Sequence, residues 1–152
     1  MSLPNLDANN FDAERQHWIT VRVYYEDTDF TGMVYHANYL RFFERGRSDH
    51  LRDAGVSHQS LLEREDPAAF TLTRLEVDYR RAARVDDLLH IRTRYIGTDG
   101  PRILFSQTCF RGEEIIAEGE ITAVMIHVDG RPRRPIRELV KQLEAYRWEG
   151  ES

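Results

Sequence analysis

From Tyr39 onward, Leu40, Phe43, Arg47, Leu51 and Ala54 recur at three- and four-residue steps, and Gly46 stands in the middle of that run. The period predicts one long amphipathic helix, with Phe42 and Gly46 widening the same face. A glycine inside a helix costs about 1 kcal/mol against alanine. Its presence predicts a sheet lying close against the helix at that point. Asn38 is expected as the N-cap and Gly55 as the C′ residue.

Four strand candidates follow in a row. Phe70 and Leu72 sit on one phase whereas Leu75, Val77 and Tyr79 sit on the other, which predicts a bulge near Thr73-Arg74. Leu89, Ile91, Thr93 and Tyr95 alternate next, up to a turn at Gly97–Pro101. Ile103, Phe105, Gln107 and Cys109 form a third strand that closes in a hairpin at Arg111–Glu113. The fourth runs from Glu114 to about Val128. Its polar face (Glu118, Glu120, Thr122) gives way to Val124 and Ile126, so its far end should be covered. Before the helix, Val21, Val23 and Tyr25 alternate as a first strand. A helical turn is expected at Gln59–Arg64, and Ile136, Leu139, Val140, Leu143 and Tyr146 describe a C-terminal helix. One helix covered by one curved antiparallel sheet is an α+β plan. The expected division is a loosely held polar lead-in over 1–17, a single domain over 18–147, and a tail over 148–152.

Chemistry concentrates just before the long helix, in Tyr25-Glu-Asp-Thr-Asp29-Phe-Thr-Gly32-Met-Val-Tyr-His36-Ala-Asn38-Tyr39. An acid, a glycine turn and a histidine precede a helix N-terminus, where unpaired N–H groups and the dipole favour developing negative charge. Acyl transfer needs both parts: a group to attack or to activate water, and donors for the oxyanion. Taken alone, Asp29 reads more readily as a loop aspartate making an Asx-turn, and His36 as a half-buried histidine bonded to a carbonyl. Asp27 competes with Asp29, which ranks first because it lies nearer the glycine turn. The helix N-terminus should lower the pKa of Asp29, and burial under Tyr25 and Phe30 would raise it.

Other chemistries find less footing. The net charge is −5, which argues against a general nucleic-acid-binding surface. Cys109 is the only cysteine and sits in a strand pattern, as a buried structural thiol does. The remaining histidines (His17, His50, His58, His90, His127) lie in different elements, away from metal-ligand spacing. Ser48, Ser57, Ser60 and Ser106 lack a nucleophile-elbow frame. The N-terminus shows neither a basic region nor an apolar run, and no stretch approaches membrane-spanning length, so the expected location is the cytoplasm.

The string from Arg22 to Tyr39 resembles the active-site signature of the 4-hydroxybenzoyl-CoA thioesterase family, and most of all its Tol–Pal-associated acyl-CoA thioesterase branch. The likeness continues through Leu40–Arg47 and again in Val77–Ala82 and Asp86-Asp87-Leu88, covering roughly residues 20 to 140. The resemblance implies a hotdog fold, an antiparallel sheet wrapped around a long central helix. It implies hydrolysis of an acyl-CoA, or of an acyl-carrier-protein thioester, without metal or cofactor. Asp29 would be nucleophile or general base, the His36 amide would polarise the carbonyl, and the side chains of His36 and Tyr25 would orient the carboxylate or water. Gly32, Phe30 and Arg102 would contact substrate, Arg102 near the CoA phosphates. The active unit would be a homo-oligomer, a dimer at least and a tetramer by the habit of the family. Phe30-Thr31 departs from the small residues usual after the aspartate, which implies a reshaped pocket; Met33 keeps bulk and apolarity. Arg80, Arg81 and Arg84 form a basic run that reads as a solvated edge or as a phosphate contact. Two rivals remain: a hotdog dehydratase or hydratase using Glu44 or Asp49 as its helix acid, and a non-catalytic acyl-CoA- or carrier-protein-binding subunit.

Overall fold

The Cβ that Gly46 lacks would sit 2.9 Å from Ile91, Thr93 and Gln107 side-chain atoms. The helix therefore meets the sheet at nearly bare backbone, as its central glycine predicted. In the computed structural model, which describes residues 3–150, this helix is α1 (Asn38–Asp53). It lies against a five-stranded antiparallel sheet of β1 (His17–Arg22), β2 (Ala68–Tyr79), β3 (Leu88–Asp99), β4 (Arg102–Arg111) and β5 (Glu114–His127). The spatial order is β1-β3-β4-β5-β2, which leaves β1 and β2 as the two edges. A short α2 (His58–Leu62) follows α1, and α3 (Arg137–Glu144) closes the chain. This is the α+β hotdog plan.

The core falls into two apolar clusters, one at each end of α1. Val23, Tyr39, Phe42, Phe43, Leu89 and Ile116 surround its start. Leu51, Tyr95, Phe105, Met125 and Leu143 belong to the cluster at its end, which takes in α3. Between them runs a polar belt at Gly46. Gln107, fully buried, donates from Nε2 to Phe43 O and Thr93 Oγ1 (both 2.8 Å), and its Oε1 accepts from Arg47 at 3.0 Å. A buried amide is tolerated when both ends are bonded.

Much of the local reading holds. Gly55, at φ +97°, ends α1 in a Schellman motif: its N–H bonds Arg52 O, and that of Val56 bonds Leu51 O. The register shift in β2 falls between Leu72 and Arg74. Other expectations change. Asn38 is not the N-cap; Ala37 is, and the Asn38 side chain is engaged by Asp27. The first strand spans His17–Arg22 and stops before Tyr25, which lies in a 3-10 turn at Tyr25–Asp27. Over its described residues the lead-in is not loosely held. Phe11 is buried, packed edge-on against His17 and His50 and tilted against Tyr146. Nor does β3 end at Gly97, which sits at a bulge; the chain turns at Gly100-Pro101.

Candidate active site

The loop between β1 and α1 is built on backbone bonds from both sides. Val23, fully buried, exchanges hydrogen bonds with Asp86 and Asp87, and Val34 N donates to Ala83 O at 2.9 Å. Thr28 and Val34 form a bridge, and Asp29 N donates to Met33 O at 3.0 Å. These bonds make a small hairpin with Asp29 to Gly32 at its tip. Gly32 N closes on Asp29 O at 3.0 Å with φ +81°, a backbone shape that glycine adopts without the Cβ penalty.

Asp29 is exposed at this tip. One of its oxygens, Oδ1, accepts from Thr31 N at 2.8 Å and from the Thr31 hydroxyl. The Asx-turn that a lone loop aspartate suggests is therefore present. The Thr31 hydroxyl and then the Thr31 amide hold the carboxyl below the usual aspartate range, with a smaller contribution from His36. Burial raises it by less than the Thr31 bonds lower it, and Tyr25 and Phe30 do not supply the expected cover: Tyr25 is 86% exposed and Phe30 fully so.

His36 stands just ahead of α1. Its carbonyl accepts from the Tyr79 hydroxyl at 2.9 Å, and its ring lies tilted against Tyr35. Around it the amides of Val34, Tyr35 and Asn38 are engaged by Ala83, Asp27 and Tyr35 carbonyls respectively. The His36 amide takes no part in backbone hydrogen bonding among the described residues. It is an unengaged donor at a helix start, the kind of group that can hold a developing oxyanion.

Asp29 and His36 line one open cleft of about 400 Å³, with Met33, Val34, Tyr39, Tyr79 and the stretch Arg80–Ala82. Gly32 shapes the turn without lining the cleft. Tyr25 and Phe30 do not line it either, so within one subunit Phe30 narrows nothing. Arg102 opens β4, at the opposite end of that strand from Arg111, and does not line the cleft. Two neighbours of the candidate groups are not among the site residues that the sequence suggests. Thr31 carried a usable signal, two residues after an aspartate where Asx-turn donors sit; Tyr79 carried none, because it reaches His36 across the fold. Cys109 is buried, and burial pushes its thiol up to about 12. Among the described residues no cluster of three His, Cys, Asp or Glu side chains is placed to hold a metal ion, and no helix is long and apolar enough to cross a membrane.

The family model described as thioesterase-like superfamily matches residues 23–143. The chain belongs to this superfamily. The acyl-CoA thioesterase YbgC of Haemophilus influenzae is 43% identical over 106 residues, 70% of this chain and 77% of that one. The acyl-CoA thioester hydrolase YbgC of Escherichia coli is 39% identical over 107 residues, 70% and 78% of the two chains. A crystal structure of a probable thioesterase from Bartonella henselae superposes with a TM-score of 0.77 at 38% identity, covering 80% of this chain and 99% of that one. Slr0204 of Synechocystis, a 1,4-dihydroxy-2-naphthoyl-CoA thioesterase, superposes at 0.74 with 18% identity over 86% and 94% of the chains, and shows the hotdog fold alone.

Proposed function

We propose that this superfamily member is an acyl-CoA thioesterase, releasing free acid and CoA. The observation that carries the reading is that Asp29 and His36, whose amide is unengaged among the described residues, line one cleft. The thioester carbonyl oxygen accepts from His36 N–H, which stabilises the charge that develops as the carbon becomes tetrahedral. The peptide that carries this N–H is held through its own carbonyl, since Tyr35 O accepts from Asn38 N at 2.8 Å, and Tyr79 holds the next peptide through His36 O. The lowered pKa of Asp29 keeps it ionised and weakens it as a general base, which favours direct attack. A carboxylate oxygen bonds to the acyl carbon, the C–S bond breaks, and the CoA thiolate takes a proton from solvent. Water then cleaves the mixed anhydride and returns Asp29. Arg80 and Arg81 line the cleft and offer positive charge to the CoA phosphates.

A second subunit completes the site in this reading. β2 is an edge strand of 12 residues with Leu72, Leu75 and Tyr79 exposed, and its Tyr79 end borders the cleft. A long edge of this kind is a template for pairing, and pairing with a second copy would wall the cleft and bring cover to Tyr25 and Phe30. A homodimer is thus the minimal active form, and two such dimers make the tetramer expected of the family. Residues 18–147 act as one catalytic domain, in the cytoplasm where acyl-CoA is made. A contact between Arg102 and CoA requires a neighbouring subunit. The dehydratase alternative finds no support in the subunit, since Glu44 and Asp49 line the groove between α1 and β1 rather than the His36 cleft.

Thiol release across an acyl-CoA panel of short, long and aromatic chains tests the proposal. Asp29→Asn is expected to lose about a thousandfold or more of kcat while keeping its thermal midpoint and oligomeric state. Near-normal turnover in that variant sinks the assignment.

A further inference from the structure

Asp27 is a carboxylate only 7% exposed, two residues before Asp29. Buried carboxylates are costly unless paired and hydrogen-bonded, and this one is bonded on both oxygens. Oδ1 accepts from Asn38 Nδ2 at 2.6 Å, and Oδ2 accepts from Tyr24 N at 2.8 Å. Its backbone is engaged as well: its N–H donates to Tyr24 O and its carbonyl accepts from Tyr35 N, both at 3.0 Å. Asn38 is likewise buried and is the first residue of α1, two residues after His36.

The two reacting groups thus hang symmetrically from one buried contact. Asp27 carries Asp29 on the rising arm of the loop, and Asn38 carries His36 on the arm that enters the helix. We infer that the Asp27–Asn38 hydrogen bond is a positioning clamp that sets the Asp29 carboxylate against the His36 amide. Neither side chain touches substrate. Their effect runs through geometry, where a displacement of an ångström is enough to cost a large part of the rate. The inference rests on the thioesterase reading of the cleft.

Asn38→Asp breaks the clamp without changing its size, since two carboxylates then face each other with no donor between them. Adding Asp27→Asn restores one donor and one acceptor in reversed order, and the side-chain amide oxygen introduced at position 27 still accepts from Tyr24 N. Asn38→Asp is expected to lower kcat by about 10- to 100-fold with KM nearly unchanged. The reversed pair is expected to recover most of kcat. Amide exchange at Tyr24 and Tyr35, followed by NMR, is expected to quicken in Asn38→Asp and to slow again in the reversed pair. A kcat within about twofold of wild type in Asn38→Asp overturns the clamp, as does a reversed pair that regains amide protection but not rate. If the wild type releases thiol from no thioester, the thioesterase reading fails by itself, and unchanged exchange in Asn38→Asp then decides against the clamp.

Discussion

The two ends of α1 treat buried polarity in opposite ways. At its start, Asp27 is enclosed with both carboxylate oxygens bonded and both of its backbone groups in use. At its end, His50 is fully enclosed with neither ring nitrogen bonded among the described residues. Its ring packs edge-on against Phe11 and Phe105 at 5.2 and 5.7 Å, and beside His17 at 5.7 Å. Of the two histidines, His17 is bonded at one nitrogen, with Nε2 at 2.7 Å from Asp53 Oδ2, and its Nδ1 has no partner among the described residues. The first end uses a polar side chain for its directional bonds, which fix a loop. The second uses one for its volume and its aromatic edge, and carries the desolvation of an idle N–H as the consequence. Specificity of geometry is thus concentrated where the cleft is, and the far end is packing.

Apolar replacement of similar shape should separate the two ends by sign. Asp27→Leu keeps the branching at Cγ, though with a larger side chain, and strands Tyr24 N and Asn38 Nδ2. At about 1–3 kcal/mol for each buried group left without a partner, the loss is on the order of 2–6 kcal/mol in denaturant unfolding. A change below about 1 kcal/mol would mean that water satisfies those donors and that the two ends are alike.

His50→Phe should move the other way at neutral pH, gaining about 1 kcal/mol by removing an unpaired N–H. The larger contrast lies in acid. Burial, and then the nearby His17, push the His50 pKa from 6.5 down to about 3. The folded state therefore holds His50 neutral where the unfolded chain binds a proton. Stability from this residue is fully present above pH 6.5 and falls as pH drops toward 3, by about 1.4 kcal/mol per unit. His17, also lowered by burial, acts in the same direction. Unfolding free energies measured from about pH 7 to about pH 4 should show this slope in the wild type and a shallower one in His50→Phe. Equal slopes would remove His50 as the cause.

What could be read in the chain without its structure was what is local. Gly46 announced the close sheet, Gly55 the helix stop, the Thr73-Arg74 phase slip the bulge in β2, and Gly32 the turn that presents Asp29. Each depends on neighbours within a few residues or on a single residue's conformational range. The failures depend on distant partners. Asn38 looked like a cap because it precedes an apolar periodic run, but its amide is taken by a carboxylate 11 residues back. Phe11 stands alone in a polar stretch, so no period could show that it closes the far core. Tyr79 looked like an ordinary strand residue, and its hydroxyl reaches the loop only once β2 lies alongside it. Asp27 and Asp29 could be ranked by proximity to Gly32, but only burial separates the structural acid from the exposed one.

The exposed acid gives the smallest and most discriminating test. Thr31 holds Asp29 below the ordinary aspartate range by its hydroxyl first and its amide second. Thr31→Val deletes the first and keeps the second, so the Asp29 pKa should rise toward its ordinary value and remain lowered. If ionised Asp29 attacks the thioester, the acid limb of kcat/KM follows that pKa upward. Turnover near neutral pH should change little, since Asp29 stays ionised there and becomes slightly more nucleophilic. The profile is best recorded with His50→Phe in both proteins, so that acid unfolding at the far end does not mask the limb. An acid limb that stays in place when the Thr31 hydroxyl is removed would show that a different group sets it, and would take the nucleophile's part away from Asp29.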